Sequence, residues 1–279
     1  MHPHGPDPAV AGWVAAAVAA AAVGGYLAAA AAVRRRGTAW SARRVAAWTA
    51  GWACAVGAVA GPMARLAHHD FVWHMAGHVL LGMLAPLLLA VAAPVTLALR
   101  VLPTPHGRRL VRLLRSPPVA VATHPVVAAV LNVGGLWVLY HGGLYAVMLD
   151  HAGAHALVHV HVLVAGWVFT FAVLGGPDPA PHRMRPLWRA GVLVGAVAAH
   201  NVLAKTLYAA PPAGVPVEQA QVGAQVMYYG GMPVEIALAA LLCRDWLGPR
   251  AGRTPARLRC RGAQEATRSG RGRGVVRAR

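Results

Sequence analysis

Charge is scarce in this chain. Only 12% of its 279 residues are Asp, Glu, Lys or Arg, where a soluble domain carries about 25%. Hydrophobic residues make up 57%. That balance excludes a water-soluble globule. It points to a polytopic membrane protein whose core lies in lipid and in helix–helix contacts. Cysteine is also scarce. Cys54, Cys243 and Cys260 stand far apart and form no CxxC, which excludes a disulfide framework and a thiolate zinc site. Residues 1–8 hold no Lys or Arg, so the positive region that opens a secretory signal is missing and no cleaved signal is expected. No nucleophile–base–orienter set is visible, and no Gly-rich phosphate loop precedes a helix. The chain is therefore not read as an enzyme.

What is present is a run of apolar segments rich in Ala, Gly and Val, the small residues that let membrane helices pack closely. Seven spans are expected, at residues 9–33, 45–63, 74–102, 119–141, 155–174, 187–209 and 222–243. The fold class is thus all-α, a polytopic membrane helical bundle over residues 1–243. A polar, Arg-rich tail over 244–279 is expected to be disordered. Arginine sets the orientation. Five stand at Arg34–Arg44, five at Arg100–Arg115, three at Arg183–Arg189 and eleven in the tail, while only Arg65 and Lys205 fall elsewhere. Basic residues stay in the cytoplasm, so the N-terminus is expected outside and the C-terminus inside. The net charge of +18 then serves orientation and contact with anionic lipid headgroups, and nucleic acid is not a partner.

The histidines gather on the other side. His74 and His78 open span three, on one helix face and roughly 6 Å apart along the axis. An ionisable pair is costly in such a segment and is by default a functional hypothesis. The pair either shares a metal ion or makes separate hydrogen bonds to neighbouring helices. His141 ends span four. His155 and His159 occupy the first turns of span five and share a face with His151, while His161 points elsewhere. His200 lies in the outer half of span six, and His68 and His69 lie in the adjoining outer loop. The inner side holds only His106, His124 and His182. Packing needs alone do not gather imidazoles on one side from four spans. Imidazole suits copper, zinc, iron and nickel. Met63, Met75 and Met148 stand at similar depth, where a thioether either packs or binds Cu(I).

Two other classes stay open. A b-type haem protein uses histidines on facing spans as axial ligands. A transporter needs a polar path, for which the inner halves offer only His124, Asn132 and Glu235. Glu235 is either structural or part of a proton or metal relay. Lys205 either snorkels to the headgroups or faces the histidines and an acid such as Asp70 or Asp150. Cys243 is read as an ordinary small apolar residue.

Four stretches carry a family resemblance. HMAGHVLLGMLAPLLLAVAAP, from His74 to Pro94, resembles the His-x3-His, Pro-Leu-Leu and later Pro pattern of the integral-membrane CtaG family of cytochrome c oxidase assembly proteins, the multi-span type linked to caa-type oxidases. THPVVAAVLNVGGLWVLYH matches at His124, Pro125 and His141, and GLYAVMLDHAGAHALVHVHVLVAGWVF at Leu144, Tyr145, His155, His159 and Gly166. VEQAQVGAQVMYYGG resembles a family Asp-Gln-Gln-x-Gly-Gly-x-x-Met-Trp segment at Gln219 or Gln221, Gly223 and Met227. It departs where Ala224 and Tyr228 stand. The similarity runs from about Phe71 to Met232. It implies a cell-membrane protein that helps a haem–copper oxidase mature, with oxidase subunits as partners and copper as the metal. The metal ligands expected from the residues are His74, His78, His141, His155 and His159.

Overall fold

The computed structural model describes residues 8–175 and 177–247. Residues 1–7, with His2 and His4, and 248–279, most of the expected tail, lie outside the described residues. The fold is all-α, and no strand occurs among the described residues. The helices are α1 (Pro8–Arg35), α2 (Ala42–Val59), α3 (Gly61–Ala67), α4 (Phe71–His78), α5 (Ala85–Val91), α6 (Pro94–Val101), α7 (Thr104–Leu114), α8 (Pro117–Ala122), α9 (Pro125–Ala129), α10 (Gly135–His141), α11 (Leu144–Asp150), α12 (Ala152–Leu174), α13 (Pro186–Ala209) and α14 (Val217–Leu247). Two π-helical segments, Val79–Leu84 and Val130–Gly134, join α4 to α5 and α9 to α10.

Five helical stretches are long and apolar enough to cross a membrane: Gly12–Arg35, Phe71–Val101, Ala152–Leu174, Pro186–Ala209 and Val217–Leu247. Two bent pairs raise the number to seven when each is taken as one span. Ala42–Val59 meets Gly61–Ala67 at 42°, and Pro125–His141 meets Leu144–Asp150 at 76°. Glycine makes both bends, with φ +76° at Gly61 and at Gly143, a region that costs glycine little. Exposed Leu157, Val160, Val194 and Ile236 give the bundle an apolar exterior that suits lipid.

The expected boundaries shift for local reasons. Span four breaks at its start, because His124 precedes Pro125 and is extended at φ −66°, ψ 125°, as the residue before a proline tends to be. Span three starts earlier, at Phe71, where the Asp70 carboxylate accepts a hydrogen bond from Val72 N at 2.7 Å and so caps the helix. The basic loop expected over 103–118 is mostly helix. α7 sets Arg108, Arg109 and Arg112 against Leu110, Val111, Leu113 and Leu114 and buries none of its residues. Such a helix suits an interface with lipid headgroups. α1 ends in a Schellman motif: Thr38 N donates to Val33 O and Gly37 N to Arg34 O.

Proline shapes the central stretch twice. Ala93 takes φ +57° before Pro94, and side chains engage three of the backbone groups freed there. Tyr26 OH donates to Ala92 O at 2.7 Å, while Val95 N and Thr96 N donate to the Asp178 carboxylate at 3.1 and 2.6 Å. Pro86 removes the N–H that would bond the carbonyl of Gly82, and the helix is π-helical there. That carbonyl lies against Gly166 of α12. A Cβ on Gly166 would collide with it and stand 2.9 Å from the Pro86 ring. Gly166→Ala should therefore push α12 off the central helix at a cost of about 1–3 kcal/mol. A lowered midpoint in thermal unfolding in detergent checks this; an unchanged midpoint would refute it.

The core runs the length of the bundle. At one end Phe71, Met75, Tyr140, Tyr145, Met148, Leu203, Leu207 and Met227 pack together. At the other, Leu87, Phe169, Val173, Leu193, Leu238 and Leu242 do so. We call these the histidine end and the arginine end. Cys243–Leu247 complete α14.

Candidate functional site at the histidine end

α4 starts at the histidine end, held by two side chains. Asp70 caps it, and the Gln219 side-chain oxygen accepts from Phe71 N at 3.1 Å. This fixes His74 beneath an aromatic wall. Its Nε2 lies 3.1 Å from Tyr140 OH, and the rings of Phe71, Tyr140 and Tyr145 surround it at 5.8, 6.0 and 5.1 Å. Tyr140 OH also stands 3.8 Å from the Met75 sulfur.

α12 begins at the same end and sets His155 and His159 on successive turns, with ring centroids 4.2 Å apart. His68, just after α3, stacks on His155 at 5.0 Å. His159 Nδ1–H donates to His155 O at 2.8 Å. That bond places the proton on Nδ1 and leaves the Nε2 lone pair available, the arrangement a metal-binding imidazole needs. His74 lies within electrostatic range of His159, His78, His155 and His68. Three turns of two helices and one loop thus present a group of imidazoles to the exposed rim.

The five expected ligands divide among three surroundings. His74, His155 and His159 come together, with His68 added. His78, one turn deeper, is buried and stacks instead on His200 of α13 at 5.9 Å. His141 is exposed. Its Nε2 lies 3.0 Å from Thr206 Oγ1, and its ring lies against Trp137 at 5.2 Å. Among the described residues no three His, Cys, Asp or Glu side chains are already grouped as a metal site. The donor type fits a borderline or soft ion, and ligation requires the rings to turn toward one another. His161 donates to Leu131 O at 3.1 Å, and His151 to Val147 O at 3.3 Å, so both rings are used by backbone carbonyls. Lys205 is exposed and lies over Tyr228 at 5.8 Å.

Sequence reading missed His68 as a member, because a loop residue has no helical phase to place it. It also missed Tyr140, whose hydroxyl engages His74 across 66 positions of chain. The Gln219 contact gives the weakly matching VEQAQ segment a structural task, closing the N-terminus of α4.

Comparison with known proteins adds a family. The profile of a family described as cytochrome c oxidase caa3 assembly factor (Caa3_CtaG) matches residues 24–248. Uncharacterized proteins of Mycobacterium bovis and Mycobacterium tuberculosis are each 36% identical over 175 residues, and one of Mycobacterium leprae is 33% identical over the same length. The match covers 60% of this chain and 26% of each relative, so it spans about a quarter of their length. No solved structure matches.

Proposed function

The chain belongs to the cytochrome c oxidase caa3 assembly factor family, and from that membership we propose that it supports oxidase maturation by holding copper in transit at the histidine end. The observation that carries this is the stack of His68, His155 and His159 beside His74, with the His159 tautomer set by its bond to His155 O. Neutral imidazoles in excess of what one ion needs allow one ligand to leave as another arrives, which suits cargo better than a permanent cofactor. Acid should release the ion, since only the neutral ring binds. The chain's part is binding and hand-over, not bond-making chemistry.

The arginine asymmetry supports an N-out, C-in placement in the cell membrane, with the histidine end outward and residues 244–279 a basic cytoplasmic tail. The exposed basic face of α7 and the tail would then meet anionic headgroups. A reporter fused after Arg279 should read cytoplasmic, and one inserted beside Asp150 should read external. The reverse result would put the histidines on the wrong side for copper from outside.

The direct test is the visible spectrum and metal content of the purified protein after anaerobic loading with Cu(I). Colourless protein with stoichiometric copper is expected. A Soret band with no copper would favour haem ligation and overturn the reading.

A further inference from the structure

A second group of buried polar side chains lies away from the histidine stack. His78, His200 and Glu235 come from the central helix, α13 and α14. His78 is 8% and His200 5% exposed. His200 Nδ1 stands 3.1 Å from Glu235 Oε1, and among the described residues neither His200 Nε2 nor His78 Nε2 has a hydrogen-bond partner. Buried nitrogens left so are costly. They border a cavity of about 50 Å³ that Met83, Asn132 and Thr170 also line, large enough for a small guest. A Cβ on Gly231 would stand 3.1 Å from the Met83 sulfur and 3.2 Å from His200 Cε1, so sulfur and imidazole close over the same bare glycine and lie near each other. Both π-helical segments reach this cavity, one through Gly82 and Met83, the other through Asn132 and Val133. π-bulges recur at functional sites.

We propose that His78, His200 and Met83 bind a copper(I) ion here, with Glu235 beside it, as a second and drier position for the cargo. Two arguments choose the ion. Imidazole and thioether together suit Cu(I) over hard cations. One carboxylate also balances a single positive charge, whereas a divalent ion would leave net charge uncompensated in a low-dielectric interior. Asn132 and Thr170 supply neutral polar groups around the site. The inference takes the identity of the cargo from the proposed function, but its ligands are other residues apart from His78, which sequence reading assigned to the outer group.

The test uses full-length protein in detergent, titrated anaerobically with Cu(I) against a chelator and followed by copper X-ray absorption. The variant His155→Ala/His159→Ala should keep one chelator-resistant ion with a sulfur neighbour. Adding His200→Ala should take that ion from one per chain to none. Met83→Leu, close in volume and folded by circular dichroism, should remove the sulfur signal. A resistant ion that survives His200→Ala, or a sulfur signal unchanged in Met83→Leu, would overturn the inner site. If wild type binds a single ion that the outer double variant loses, the inner site falls and the copper reading stands. If it binds a single ion lost only with His200→Ala, the outer stack falls instead. Absence of copper from wild type would refute both.

Discussion

Arg189→Leu should remove most of the folded protein from the membrane. Arg189 is 1% exposed, and its Nη1 donates to Val173 O and Leu174 O, both at 2.8 Å. Those are C-terminal carbonyls of α12, which no further helical turn can satisfy. Gly175 turns the chain away at φ +58°, and Arg183 Nη2 adds a 3.4 Å bond to Leu174 O. Leucine would fill much of the volume but donate nothing. Two buried carbonyls would lose this donor, at about 1–3 kcal/mol each, against a total stability of about 5–15 kcal/mol. Lysine should rescue partly, since it keeps the charge but lacks the guanidinium fork. Detergent-resistant monodisperse yield should follow the order Arg, Lys, Leu. Equal yields would show that α12 closes without Arg189.

The second large effect is on copper. His155→Ala/His159→Ala should cut copper bound at the histidine end severely, while leaving yield and helicity intact. His155 is only partly buried and makes no side-chain hydrogen bond among those described; the His159 ring bonds only to the carbonyl one turn earlier. Neither ring makes a hydrogen bond to another helix among the described residues, so loss of both should cost little stability. His161→Ala is the control on the same helix. Its ring serves the Leu131 carbonyl, so copper should be unchanged even if the midpoint of unfolding falls. Equal copper loss in His161→Ala would mean that α12 packing, not imidazole ligation, holds the ion.

The sequence shows the bundle because lipid leaves the chain little choice. Each span must be apolar and helical, and the arginines mark one set of ends. Gly166 and His124-Pro125 could be singled out, but not what Gly166 touches. Pro86 marks the carbonyl of Gly82 as freed, but which helix comes to lie against it is set by packing and not by any one residue. The α7 helix was legible in its alternation of Arg108, Arg109 and Arg112 with leucines, and reading it as a loop gave charge more weight than periodicity. For the site, the four-residue spacing sets His155 and His159 on successive turns, where their rings meet. At His74 and His78 the same spacing leaves the two rings with different neighbours. One face is shared, but a turn of roughly 6 Å separates the aromatic wall at Tyr140 from the buried ring of His200. Which helix stands beside each turn depends on the register of α13 and α14 against the centre. No local signal encodes that register, so neither His200–Glu235 nor His68–His155 could be foreseen.

The central claim is that these histidines serve copper delivery to an oxidase. It is tested most directly by the copper content of the haem–copper oxidase purified from cells that carry either wild-type chain or His155→Ala/His159→Ala at matched abundance. The account predicts oxidase with its haem present and its copper depleted in the variant, restored when the two histidines are put back. Full copper content in oxidase from the variant cells would contradict it.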